Sequence, residues 1–236
     1  MLKKNAMDYF YENDPILHIT MSECINRGMA NIIYADTDGV LLRYSNDDAY
    51  MFTAIDELSG KRILEQIEKC NVICHTIEAL VPYIKEKYVL KGVEPCYVSA
   101  NMSAELMQLD DSIDIHPLNE ANLSIVCQHY HGDDPENKKY IQQRIASGNM
   151  FGAFDTYGNM MGFIGMHTEG ACGMLEVFPE FRRKGIGSAL ERYISNHLIA
   201  QGFIPFGHII TDNYKSLALQ RSLGMQISSA AIYWQF

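Results

Sequence analysis

The chain of 236 residues has a single tryptophan, and its cations are outnumbered: 19 lysines and arginines face 29 aspartates and glutamates, a formal net charge of −10. That balance argues against nucleic acid as a partner, because its phosphates would be repelled. No apolar run approaches the roughly 20 residues that a membrane-spanning helix needs. The opening stretch, Met1-Leu2-Lys3-Lys4-Asn5-Ala6-Met7-Asp8, lacks an apolar signal core. These shortages together give the expectation of a cytoplasmic protein with no membrane partner. Paired metal-binding cysteines are missing as well. Cys24, Cys70, Cys74, Cys96, Cys127 and Cys172 form no C-x-x-C, and Cys70-x-x-x-Cys74 has no second pair at zinc spacing, so buried reduced thiols are expected. His129-x-His131, followed by Asp133-Asp134, has ligand chemistry but not ligand spacing, since residues i and i+2 at a helix end point apart. No metal is expected.

What remains is an ordinary globular composition, 47% apolar, long enough for one large or two small domains. Residues 16–28 read as a helix. Strands over 31–35, 40–44 and 49–54 read as an antiparallel meander. Between the first two lies Asp36-Thr37-Asp38-Gly39, which resembles the haloacid-dehalogenase motif of a strand followed by D-x-D-G. It reads better as a hairpin turn, because D-G after a strand is a turn signal and too few residues separate it from the basic glycine turn at 182–188 for that superfamily's long parallel domain. Helices over 59–69 and 77–89, with strands over 71–75 and 95–100, complete the first half. Residues 101–112, with Asp110-Asp111, read as a linker. The second half reads as a strand at 113–117, helices at 120–130 and 135–146, and strands at 150–155, 160–167 and 174–178. A helix from Ile186, a strand over 204–211, a helix over 213–222 and a strand over 226–234 follow.

The most informative stretch is Val177-Phe178-Pro179-Glu180-Phe181-Arg182-Arg183-Lys184-Gly185-Ile186-Gly187-Ser188. A strand, a basic glycine turn and a helix start make an anion site, because backbone N–H groups, the helix dipole and the absence of side chains at glycine all favour a phosphate there. It is neither the P-loop G-x-x-x-x-G-K-[ST] nor the dinucleotide G-x-G-x-x-G. It is similar to the acetyl-CoA signature [QR]-x-x-G-x-[GA] of the Gcn5-related N-acetyltransferase (GNAT) family. Asn213-x-x-Ser216 and Leu223-Gly224-Met225 resemble that family's tail, and the likeness is strongest to its FR47-like group. The order of elements after residue 112 resembles the full GNAT layout. The order before it resembles a degenerate copy, as in glycine N-acyltransferase-like proteins.

The resemblance implies a mixed α/β (α+β) fold with a central, mostly antiparallel sheet flanked by helices, and a degenerate N-terminal GNAT-like domain over 1–110 preceding a catalytic domain over 111–236. It implies acetyl-CoA as co-substrate and a small-molecule amine or amino acid as acceptor. Leu175, Glu176 and Val177 match the strand that pairs with the pantetheine arm, splaying from the strand over 204–211. The Val177 N–H would polarise the thioester carbonyl. Arg182, Arg183, Lys184, Gly185, Ile186, Gly187 and Ser188 match the pyrophosphate loop, and Asn213 and Ser216 match positions lining the pantetheine. Loss of the amine proton requires a base, and two residues are candidates: His208, where many relatives have a glutamate, and Glu169, at the turn into the central strand. Where many relatives have an acidic tyrosine this chain has Gln220, which has no titrating proton. A longer acyl-CoA, or a CoA-binding regulator without turnover, is the alternative reading, and either a monomer or a homodimer is compatible with it.

Overall fold

The computed structural model describes residues 1–45, 48–103, 105–130 and 134–236. In chain order the elements are α1 (Leu2–Glu12), α2 (Ile19–Asn26), β1 (Asn31–Asp36), β2 (Gly39–Ser45), β3 (Ala49–Ala54), α3 (Glu57–Leu64), β4 (Val72–His75), α4 (Val81–Tyr88), β5 (Val93–Ala100) and β6 (Asp114–Pro117). They continue with α5 (Leu123–His129), α6 (Pro135–Ala146), β7 (Met150–Phe154), β8 (Met160–Met166), β9 (Cys172–Val177), α7 (Ile186–Ile199), β10 (Phe206–Ile210), α8 (Tyr214–Ser222), β11 (Gln226–Ile227) and β12 (Ile232–Gln235). Both α/β character and mostly antiparallel pairing agree with the expected class. Among the described residues no helix is long and apolar enough to cross a membrane.

The chain folds into two compact units: Met1–Ala100 with His208–Phe236, and Asn101–Gly207. The division does not follow a cut at residue 110, because the C-terminal segment is built into the first unit. There β12 lies between β4 and β5, antiparallel to both, with Trp234 opposite Cys74 on one side and Glu94 on the other. The strand order of this unit runs β1-β2-β3-β4-β12-β5, with β11 also on β5. There β3 and β4 pair in parallel. The Asp36–Gly39 segment closes the β1–β2 hairpin, with Asp36 opposite Gly39, as a turn rather than a catalytic loop. Phe52, Ile63, Leu64, Ile73, Leu80 and Ile84 form the core under α3 and α4.

Three local differences from the expected elements have physical causes. Helix α1 is not among the expected elements, although Ala6, Tyr9 and Phe10 are buried at i, i+3 and i+4. Helix α3 stops at Leu64, where Glu65, Gln66 and Ile67 donate to carbonyls three residues back and tighten the end into 3₁₀-type turns. The last strand is interrupted at Ser228, whose hydroxyl accepts from the Val98 N–H at 3.0 Å and donates to the Ala230 carbonyl at 2.7 Å. That side chain takes the place of ladder bonds.

In the second unit β6-β7-β8-β9 form an antiparallel sheet, and β10 joins β9 in parallel at Gly207 opposite Cys172. The two-residue alternation of strands sorts its side chains. Met150, Phe163 and Met174 pack under α5 and α6 with Val126 and Ile141. Phe151, Ile164 and Cys172 pack under α7, which contributes Ile186, Leu190, Ile194 and Leu198 at an unbroken i+4 spacing. All six cysteines are buried and none forms a disulfide.

One buried group in the first unit titrates abnormally. His75 is 1% exposed, stacks between Phe52 and Tyr233, and shares a 2.8 Å hydrogen bond with the Gln235 side chain. Burial disfavours its cation and pulls its pKa from 6.5 down to about 4. The folded state therefore binds fewer protons than the unfolded state between those values. Stability from neutral His75 is complete above about pH 6.5 and declines as the pH falls toward 4, by roughly 3 kcal/mol in total. Denaturant unfolding of the wild type and His75→Gln should show a stability gap that narrows over this window. A gap independent of pH would exclude the assignment.

Candidate functional site

The expected cofactor strand, β9, has one residue more than its partner. Gly162 faces Val177 and Phe163 faces Glu176, but Gly165 faces Gly173 and Met166 faces Cys172, so Met174 and Leu175 together oppose Ile164. This is a β-bulge, and Met174 absorbs it at φ 53°, the left-handed region. Glycines make the close approach possible: a Cβ on Gly162 would stand 2.5 Å from the Glu176 carbonyl oxygen. Past the bulge the ladder has a definite sense. The Phe178 N–H donates to the Met161 carbonyl at 3.0 Å. Hydrogen-bonded and non-bonded pairs alternate in an antiparallel ladder, so the Val177 N–H, one residue earlier, turns away from β8. A backbone donor on that outer edge is what an added strand-like ligand would require.

Pro179 begins a 3₁₀ turn over Pro179–Phe181, and the chain then enters the basic loop. Arg182 turns back on the strand: its Nε donates to the Val177 carbonyl at 2.9 Å and its Nη2 to Glu176 Oε1 at 3.0 Å. Both expected ligands, Arg182 and Glu176, thus brace the loop against β9. Arg183 is left-handed at φ 61°, and Gly185, the residue before α7, at φ 81°. A Cβ on Gly185 would meet nothing within 4 Å, so its glycine is needed for conformation rather than room. Lys184 lies over the Phe181 ring at 5.3 Å. Arg182, Arg183 and Lys184 are exposed, Gly187 and Ser188 half-buried, and Ile186 is buried beneath them. Helix α7 has no acidic residue in its first turn and no side-chain cap. Three cations precede its leading N–H groups, an arrangement suited to an anion.

The remaining expected residues belong to the first unit. Asn213 caps α8, its side chain accepting from the Ser216 N–H at 3.1 Å. This is the ordinary helix-start role of asparagine. Gln220 is buried on α8 at 5% exposure. His208, half-buried, has Nε2 2.8 Å from the Thr20 hydroxyl and its ring 5.7 Å from that of Trp234. Leu175, Glu176, Val177 and the 182–188 loop are therefore gathered in the second unit, together with Glu169.

Glu169 is buried at 8% exposure in a tight turn between β8 and β9, with the Thr168 hydroxyl 3.4 Å from its carboxylate. The turn is closed by the His167 N–H donating to the Ala171 carbonyl and by the Gly170 N–H donating to the His167 carbonyl. Two groups not singled out from the sequence appear here. The Tyr140 hydroxyl on α6 is 2.8 Å from His167 Nδ1. Burial, chiefly, and the charge of Glu169 push the Tyr140 phenol up, so it stays neutral. A tyrosine 27 positions before a histidine carries no local sequence signal. Of the ligand-type cluster near 130, His131 and Asp133 lie outside the described residues, and His129 stacks on Phe178 with ring centroids 3.9 Å apart.

Residues 150–234 match the model of the family described as FR47-like protein. No curated protein matches the sequence. Among solved structures, the chain is similar to a Drosophila protein at TM-score 0.68 and 15% identity, covering 99% of this chain and 95% of that one. It is similar to a GNAT-family acetyltransferase from Colwellia psychrerythraea at TM-score 0.56 and 14% identity, covering 100% and 96%. A tandem GNAT protein from the clavulanic acid biosynthesis pathway superposes at TM-score 0.50 and 10% identity, covering 100% and 94%. Likeness at these identities concerns the fold. The FR47-like match covers residues 150–234, and over the whole chain the likeness to GNAT-family structures is one of fold.

Proposed function

We propose that the chain transfers an acetyl group from acetyl-CoA to the amine of a small molecule or amino acid, by direct attack on the thioester. The observation that carries this reading is the run β9–loop–α7. It combines an edge N–H at Val177, left-handed backbone at Arg183 and Gly185, and an uncapped helix start with three cations just before it and no acid in its first turn. The loop would hold the pyrophosphate, and the β9 edge would pair with the pantetheine arm. The Val177 N–H would polarise the carbonyl, where charge develops as the amine attacks. Asn213, Ser216 and Gln220 are assigned to the cofactor on resemblance alone. The 1–110 segment is read as a degenerate GNAT-like half that shapes acceptor choice, a plan compatible with the tandem GNAT likeness. A cytoplasmic monomer or homodimer without a nucleic-acid or membrane partner completes the proposal.

A second reading, a CoA-binding regulator, is favoured by one observation: the position of the usual tyrosine acid is the buried amide of Gln220. A thiolate needs little help in leaving, given a thiol pKa near 8.5, so catalysis does not depend on that residue. Acyl-chain length is decided by the same assay, run with acetyl-CoA and longer acyl-CoAs.

Free-thiol release from acetyl-CoA across a panel of primary amines should reveal turnover. Tight CoA binding without turnover on any amine would favour the regulator. Gly187→Trp should abolish CoA binding in calorimetry while thermal unfolding stays within a few degrees. Retained binding would refute the pyrophosphate assignment. Arg182→Ala should weaken CoA binding about tenfold or more while costing less than about 1 kcal/mol of stability, since exposed ion pairs contribute little to folding. An unchanged affinity would show that bracing the loop is irrelevant to the cofactor.

A further inference from the structure

Deepening the acyl-transfer reading, on which it rests, we infer that His167 is the group that takes the proton from the amine acceptor, with Tyr140 as its positioning residue. The direction of the cofactor gives the first argument. With the pyrophosphate on the 182–188 loop and the thioester carbonyl at the Val177 N–H, the acyl group points onward along β9 toward Gly173. His167 occupies that end of the strand. Its ring lies so close to Gly173 that a Cβ there would stand 2.7 Å from Nε2 and 2.8 Å from Cδ2. Gly173 immediately precedes left-handed Met174, so the imidazole is seated against the entrance to the bulge.

The second argument is the mounting of the ring. Backbone bonds on both sides of the 167–170 turn fix its root, and the Tyr140 hydroxyl holds Nδ1 at 2.8 Å. With Nδ1–H donating to the Tyr140 phenolic oxygen, Nε2 is the unprotonated nitrogen and serves as the base that general-base catalysis requires. His167 is half-buried, which leaves it reachable. The charged and titratable groups around the pair are Glu169 in the same turn, and Arg144 and Tyr130, which act on Tyr140. Arg144 also lies over the Tyr140 ring at 5.9 Å. His208, by contrast, has its Nε2 committed to Thr20.

The step balances as follows. The ammonium of the acceptor gives one proton to Nε2, and the resulting imidazolium donates from Nδ1 to the phenolic oxygen of Tyr140. The freed nitrogen lone pair forms a bond to the thioester carbon. The carbon–sulfur bond then breaks, the thiolate receives the second proton of the attacking nitrogen, and the imidazolium returns its proton to solvent. No metal or redox partner is required.

The experiment is the pH dependence of thiol release by wild type, His167→Gln, Tyr140→Phe and Glu169→Gln with one amine that the wild type acetylates, alongside CoA affinity and thermal unfolding of each. His167→Gln should lose about 100-fold or more in kcat/KM near pH 7, a loss within the range general-base catalysis supplies. CoA affinity should be retained, and the deficit should shrink as the pH approaches the amine's own pKa, where the acceptor arrives already deprotonated. Tyr140→Phe keeps the ring and should shift the acidic limb of the profile with a smaller loss. If His167→Gln fails to fold, the Tyr140→Phe profile decides, and an unshifted limb overturns the inference. A wild-type profile in His167→Gln overturns it as well, as does a pH-independent loss, or the same converging deficit in Glu169→Gln alone. Absence of turnover by the wild type on any amine is a different failure: it removes the acyltransfer reading itself.

Discussion

One surplus residue in β9 is the constraint on which the second unit's site depends. A strand with an extra residue cannot keep a regular ladder, and the irregularity is concentrated at Met174, forced into left-handed backbone opposite Ile164. Such a backbone costs of order 1–3 kcal/mol in a residue other than glycine. The surroundings hold it there: Met174 is buried among Met150, Phe163 and Phe178 under α5 and α6. Beyond it the strand regains its pairing with the Val177 N–H turned outward, and Arg182 fastens the following loop to Val177 and Glu176. Helix α7 then starts where Gly185 reverses the chain, anchored by Ile186, Leu190, Ile194 and Leu198 on the sheet.

Much of this was legible in the sequence because it is local. The i+4 apolar series of α7, the proline that ends β9 and the glycines of the loop are all separated by a few residues and obey geometric rules of their own elements. The bulge was not legible. Register is a relation between two strands, and neither Met174 nor Ile164 announces that one of them faces two residues. The Tyr140–His167 pair escaped for the same reason, since α6 was recognisable by its period but not by what its tyrosine meets. His208 illustrates the converse. Its residue type suggested chemistry, yet its partner is Thr20, 188 positions away, and no pattern along the chain connects them. Asn213 illustrates a third case, a position whose local role as a helix cap is visible and leaves any role toward a ligand to be measured.

Packing in the first unit is dominated by such distant partnerships. Ser229 donates to Asp14, His75 pairs with Gln235, and the amide groups of Lys91 and Gly92 both donate to the Phe236 carbonyl. For the buried pair, His75 and Gln235, an unmet donor or acceptor in the core would cost more than a made bond contributes. Two histidines of this unit are accordingly structural in character: His18, like His75, is held neutral by burial and bonded to its neighbours.

The placement of β12 has a consequence for the order in which the protein acquires structure during synthesis. The second unit is one continuous stretch, Asn101–Gly207, whereas the first is made from the stretches on either side of it. Translation delivers all of the second unit before β12 exists. Until then β4 and β5 have no strand to lie between them, and the meander β1–β2–β3 waits beside two exposed edges. Unpaired edges are the surfaces on which nascent chains associate wrongly. The first unit's sheet therefore closes only after the second unit has been made, and that interval, rather than the finished fold, is where it is most exposed to misassembly.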